Sequence, residues 1–227
     1  MESIEMSLEK AAIRGDAEGV KTALAQGANP TDMSSRALRL AAEGGHADCV
    51  QLLIPVSDPL ARRSGALAKA AEHGHIECVK LLLPVSGQRA DGYLALKLAA
   101  ELNNVECARL LAEAADPQYD QVEALLIAAE EGHIECLRLL MPLSKSVASR
   151  SRALRGAAES GRAHCVLELL PVSDLSIQGP DGLGAVESAR RRGHGDVAAM
   201  IEAFMEAKDL GGSLSDVAQL GEPRLRL

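Results

Sequence analysis

One stretch constrains this chain more than any other. Residues Ala70 to Gly87 read AAEHGHIECVKLLLPVSG, and the pattern returns every 29 residues. AAEGGHADCVQLLIPVSD begins at Ala41, AAEEGHIECLRLLMPLSK at Ala128 and AAESGRAHCVLELLPVSD at Ala157, with a worn copy, AAELNNVECARLLAEAAD, at Ala99. Self-similarity at a fixed period of this size is the signature of a repeat array, in which each unit buries its apolar face against its neighbours. It excludes a fold built around one central core.

The unit reads as a helix, a tight turn, a second helix and a short return. Ala70 and Ala71 close a first helix whose small side chains let the next helix lie near. Gly15, Gly45, Gly74, Gly132, Gly161 and Gly193 then fill one slot, with Asn103 in the seventh copy. These residue types adopt the left-handed conformation that ends a helix. A second helix follows, IECVKLLL, and Pro84 stops it because proline cannot continue the hydrogen-bond ladder. Ser35, Ser64 and Ser151 precede the first-helix Leu by three residues and read as N-caps. The expected fold is therefore all-α: an α-solenoid of about seven stacked helix-turn-helix repeats.

At these residues the chain resembles ankyrin repeats. The first-helix Ala-Ala, the Gly-His after it and the Val-x-Leu-Leu of the second helix stand at ankyrin spacing, in phase from about Ser7 to Leu210. Two departures stand out. The period falls short of the family's usual length of about 33, and the missing residues lie between Pro84 and Leu96, where ankyrins carry a β-hairpin finger. The Thr-Pro-Leu-His of the family stands here as Gly65-Ala66-Leu67-Ala68. The resemblance thus implies fingers trimmed to plain loops. In this register an N-terminal capping repeat occupies 1–34 and five ankyrin-like repeats occupy 35–63, 64–92, 93–121, 122–150 and 151–181. A C-terminal capping repeat covers 182–210 and a tail 211–227. An insertion, Gln178 to Gly182, brings the last repeat close to a true finger.

Composition narrows the partner class. A net charge of -8 argues against general nucleic-acid binding, which depends on neutralising phosphates. No apolar run approaches a membrane span, and Met1 to Lys10 holds three Glu with no signal-peptide core. With one Phe, two Tyr and no Trp, the core must be built of Ala, Leu, Val and Cys. Cys49, Cys78, Cys107, Cys136 and Cys165 recur at the repeat period on the second helix. Equivalent positions of stacked repeats lie too far apart for a disulfide, so the five are expected to be reduced, buried small hydrophobes in a reducing, cytoplasmic setting. His46-x-x-Cys49, His75-x-x-Cys78 and His133-x-x-Cys136 supply two ligand types per repeat, short of a zinc site. No metal and no cofactor is expected. In ankyrins this His resembles a structural turn residue that bonds neighbouring backbone.

Glu43, Glu72, Glu101, Glu130 and Glu159 form an unbroken ladder, with Glu131 beside it. The resemblance places this slot at the end of the inner helix, facing the concave groove, and with it His73, Leu102 and Arg191. Two readings stand: a solvated helix end, or a strip that recognises a basic segment of a protein partner. Glu77 with Lys80, Glu106 with Arg109 and Glu135 with Arg138 are i, i+3 pairs on the outer helices and read as structural. Arg62, Arg63, Arg89, Tyr119 and Arg150, with Lys145 and Arg152, fall in the return loops and form a second, basic edge. The chain is read as a monomeric, non-enzymatic binding module or scaffold. The alternatives are a bacterial effector acting inside a host cell, a self-associating structural array, and a carboxylate enzyme. The last would need a closed pocket around an up-shifted Glu.

Overall fold

Among the described residues seven helix pairs form in the order the repeats dictate. In a computed structural model of the chain, which describes residues 4–86, 91–115 and 122–209, α1 (Ile4–Arg14) pairs with α2 (Ala17–Ala25), and α3 (Asp32–Glu43) with α4 (Ala47–Leu53). The next pairs are α5 (Ala61–Glu72) with α6 (Ile76–Leu82) and α7 (Asp91–Glu101) with α8 (Val105–Ala114). After them come α9 (Val122–Glu131) with α10 (Ile134–Leu140), α11 (Val147–Glu159) with α12 (Ala163–Leu169), and α13 (Ala185–Arg192) with α14 (Gly195–Asp209). No strand occurs among the described residues, and none of their helices is long and apolar enough to cross a membrane. The stack expected as one run groups into two compact units, Met1–Tyr119 and Asp120–Leu227.

In the N-terminal unit the inner helices α1, α3, α5 and α7 pack in sequence, and so do the outer helices α2, α4, α6 and α8. The C-terminal unit repeats this with α9, α11 and α13 inside and α10, α12 and α14 outside. The inner helices meet through alanine: Ala41, Ala42, Ala70, Ala71, Ala99 and Ala100 in one unit, and Ala128, Ala129, Ala157 and Ala158 in the other, are fully buried. Side chains this small allow close helix approach, and one leucine per inner helix fills the remaining space. Leu38, Leu67, Leu96, Leu125 and Leu154 fill that place, each stabilising by about 2 kcal/mol through burial. The outer helices α4, α6, α10 and α12 bury Cys, Val or Leu, and Leu at i, i+1 and i+4, as in Cys78, Val79 and Leu82. All five cysteines are free thiols with at most 1% of their surface exposed, as small core hydrophobes should be. Burial pushes Cys78, Cys107 and Cys136 up to about 11.

The turn between the helices of a pair explains the Gly-His signature. Gly15, Gly45, Gly74, Gly132, Gly161 and Gly193 all have φ between 68° and 89°, and Asn103 joins them at 56°. The following His serves the preceding repeat. His46 donates from Nε2 to Ile13 O at 2.9 Å, and His75 donates from Nε2 to Glu43 O at 2.9 Å. Both carbonyls are among the orphans that end an inner helix. Asn104 Nδ2 does the same for Ala71 O and Glu72 O at 2.9 and 2.8 Å, and Arg162 Nε for Glu130 O at 2.8 Å. Three different side chains thus perform one task, capping the neighbour's inner helix.

The proline acts as expected. Pro55, Pro142 and Pro171 lie in 3₁₀ turns, Ile54–Val56, Met141–Leu143 and Leu170–Val172, that follow directly on α4, α10 and α12. The serine reading needs correction. Ser35 and Ser151 lie inside α3 and α11, and their hydroxyls accept from Asp58 N and Asp174 N, both at 2.8 Å, so they tie each inner helix to the next return loop. The helix α11 is capped by Ser146, which accepts from Ser149 N at 3.1 Å. The Ser64 side chain lies outside the described residues.

Candidate partner-binding face

The acidic ladder sits where a helix least favours it. The rungs Glu43, Glu72, Glu101 and Glu159 are the last residues of α3, α5, α7 and α11, and the rung Glu130 is the penultimate residue of α9, just before Glu131. The negative end of the helix dipole disfavours a carboxylate there by about 0.3–1 kcal/mol. The equivalent end of α13 carries Arg190, Arg191 and Arg192, which the dipole favours. In the first repeat the ladder slot holds Ile13, which is 52% exposed. The sequence reading passed over Ile13, although counting back from Gly15 locates it.

Within the N-terminal unit, Lys69 bridges two rungs, at 2.9 Å from Glu72 and 3.6 Å from Glu43. The two carboxylates hold the Lys69 ammonium above its ordinary pKa, chiefly through the Glu72 hydrogen bond. His73 is exposed, lies over His75 with ring centroids 6.0 Å apart and planes 8° from parallel, and makes an Nδ1 contact with Lys69 O at 3.1 Å. Leu102 is 53% exposed and occupies the slot of His73 one repeat on.

The C-terminal unit answers its rungs differently. Arg155 donates to Glu159 at 2.6 Å and lies 3.8 Å from Asp181, which in turn pairs with Arg191 at 2.6 Å. The inserted loop makes this chain of charges possible: Gly179 N donates to Leu183 O at 2.9 Å, closing a tight turn that presents Asp181. Glu131 meets Arg162 at 4.0 Å. Glu130 is half-buried, and burial, followed by the charges of Glu159 and Glu131, raises its pKa despite Arg155 and Arg152. A raised carboxyl pKa means the ionised form is penalised at neutral pH and the penalty fades as pH falls through it. Glu130→Gln is therefore expected to stabilise the protein at pH 7 by about 0.5 kcal/mol. The gain should shrink on acidification, as read by urea unfolding at the two pH values.

Lys69, Arg155 and Asp181 are the partners that sequence reading missed. Lys69 and Arg155 stand at i, i+3 and i, i+4 from their glutamates, so helical spacing was the available signal. Asp181 gave none, because its approach depends on how the insertion folds back.

The second edge is less uniform than expected. Arg62 and Arg63 stand in the first turn of α5, and Arg150 and Arg152 in α11, not in return loops. Arg62 is exposed, while Arg150 is engaged by the fold, donating to Val172 O at 2.9 Å and Ser144 O at 3.0 Å. Arg89, Tyr119 and the side chain of Arg63 lie outside the described residues. On the outer helices, Glu77 with Lys80 and Glu106 with Arg109 pair as expected, at 2.7 and 3.6 Å. Arg138 does not pair with Glu135; it reaches Glu168 of the next repeat, with Nε at 3.1 Å. Among the described residues no group of His, Cys, Asp and Glu has the arrangement of a metal site.

The comparisons with known proteins agree with this geometry. The family model for ankyrin repeats, in three copies, matches residues 8–91, 57–121 and 96–181. The human ASB11 ankyrin repeat domain superposes with a TM-score of 0.70 at 21% identity, over 86% of this chain and 96% of that one. The ankyrin repeat domain of Bcl-3, described as a unique member of the IkappaB protein family, gives 0.65 at 23% identity over 84% and 96%. No curated protein matches the chain in sequence. Matched over most of its length by the pattern of tandem helix pairs, Gly-turns and cross-repeat caps described above, this chain belongs to the ankyrin-repeat family.

Proposed function

We propose that the chain is a protein-binding module whose working face is the set of inner-helix ends carrying Glu43, Glu72, His73, Glu101 and Leu102 in one unit. Glu130, Glu131, Glu159 and Arg191 form its counterpart in the other. Ankyrin repeats are in general protein-protein interaction modules. The observation that carries the reading is the placement of a carboxylate at the C-terminal end of five inner helices, against the helix dipole. Packing does not require an acid there; Lys69, Arg155 and Arg162 offset part of the cost within the chain, and a basic partner would offset more of it. The partner is a protein segment presenting Lys or Arg. Packed helices lie about 10 Å apart, and an extended chain rises about 3.3 Å per residue, so a basic residue at every third position matches the rungs. The basic edge is a weaker second surface, with Arg62 exposed in one unit and Lys145 and Arg152 in the other.

The test uses an extended peptide with Lys at every third position, and the same composition with the lysines clustered. Charge rows of this kind chiefly raise association rates. Glu43, Glu72 and Glu101→Gln together are expected to slow association of the spaced peptide about tenfold at low salt and flatten its salt dependence. Glu77 and Glu106→Gln, on the outer helices, serve as the control. Equal losses from the control pair, or no preference for the spaced peptide, would show that this is not the working face.

A further inference from the structure

Three arginines of the N-terminal unit gather with one acid, Glu9, paired among them. Arg36 and Arg39 stand one turn apart on α3, so they share a face. Arg62 is the second residue of α5, the helix packed on α3. The stem of Arg39 lies against Gly65, where an added Cβ would come within 3.1 Å of its Cδ. Arg39 is half-buried, and its Nε is buried with no hydrogen-bond partner. Its Nη2 reaches only Met33 O, at 3.5 Å. Glu43, one turn on, turns instead to Lys69. Arg36 meets Glu9 loosely at 3.5 Å, and Arg62 has no acidic partner among the described residues. Burial first, then the neighbouring Arg62 and Arg36, lower the pKa of Arg39. The backbone on both flanks is left-handed without glycine: Met33, Ser34 and Ser35 have φ of 45°, 60° and 56°, and Arg62 has 52°. Strain of this sort concentrates at functional sites.

A buried guanidinium N–H without a protein acceptor, beside two like charges, is a place where an anion gains both a hydrogen bond and favourable charge. We infer that Arg36, Arg39 and Arg62 form an anion site for a phosphoryl dianion. Glu9 offsets one of the three charges, and the two that remain match a phosphoryl group, which carries nearly two negative charges at neutral pH. The planar guanidinium fork suits phosphate oxygens in paired hydrogen bonds. The dianion is either free phosphate or the phosphorylated side chain of a protein.

Inorganic phosphate is titrated into the full chain while the arginine Nε–H resonances are followed, with sodium chloride at matched ionic strength as reference. A saturating shift at Arg39 under phosphate and none under chloride is expected. Arg62→Ala, a change at an exposed position, should weaken phosphate binding at least about tenfold, and Arg36→Gln should weaken it as well. A tripeptide Gly-phosphoserine-Gly and its unphosphorylated form distinguish the sources. Tighter binding of the phosphopeptide than of inorganic phosphate assigns the site to a protein partner, and the reverse order assigns it to the free ion. A non-saturating response equal in phosphate and chloride, or an Arg62→Ala chain that binds phosphate like the parent, would overturn the assignment.

Discussion

Raising the pH from about 7.5 to about 10.5 is expected to remove roughly 2 kcal/mol of folding stability for each of Cys78, Cys107 and Cys136. In the unfolded chain these thiols lose their protons near the ordinary value of 9.0; in the folded protein burial holds them to about 11. Between those values the unfolded state has released protons that the folded state still binds, so stability falls as pH rises. The contribution is complete below pH 9 and is lost through the folded value. Cys49 and Cys165 are shifted in the same direction by the same cause and add to the effect. Lysines and tyrosines also titrate in this range, so the measurement is a difference. Urea unfolding of the parent and of a Cys78→Val, Cys107→Val chain is compared at the two pH values. The double variant should lose about 4 kcal/mol less than the parent over the interval. Parallel losses would mean that the thiols are not held protonated by the core. At neutral pH the same burial keeps them inert toward thiol reagents, since the thiolate is the reactive form.

The fold was legible because its determinants are local and repeated. The glycine slot, the proline that ends four of the outer helices and the Ala-Ala pair act within a few residues, and the 29-residue period makes each visible several times over. The cysteine row was legible for the same reason. What escaped reading depends on how one repeat lies on the next. Ser35 and Ser151 stood where an N-cap would stand, yet their hydroxyls serve the amides of Asp58 and Asp174, 23 residues away. Arg138 was assigned to Glu135 by helical spacing, but stacking brought Glu168 nearer. The Glu ladder was visible as a row. Its local neutralisation by Lys69, Arg155 and Arg162 was not, because charges are paired in space and not along the chain. The Arg36, Arg39 and Arg62 cluster escaped on the same ground, since α3 and α5 must pack before the three can face one another.

Gly45→Ala is expected to destabilise the N-terminal unit by about 2–4 kcal/mol, far more than a glycine replaced in an ordinary turn. Two costs combine at this position. Its φ of 73° is left-handed, which strains a residue with a Cβ by about 1–2 kcal/mol. The added Cβ would also lie 2.5 Å from His75 Nδ1, so the imidazole must move. Its movement breaks the bond from Nε2 to Glu43 O and leaves the end of α3 without its cap, a loss of about 1 kcal/mol or more. Gly27 separates the two costs, because its φ of 93° is equally left-handed but no atom lies within 4 Å of its added Cβ. Gly27→Ala should therefore cost only the backbone strain. A double-mutant cycle then isolates the contact. In a His75→Ala background, Gly45→Ala should fall to the cost of Gly27→Ala, with a coupling energy of about 1–2 kcal/mol. Strict additivity would mean that glycine and histidine act separately. The recurrence of Gly-His would then have to be explained without the cross-repeat cap. Coupling of the expected size makes the pair a single device, in which the small residue of one repeat makes room for the ring that the next repeat uses to hold it.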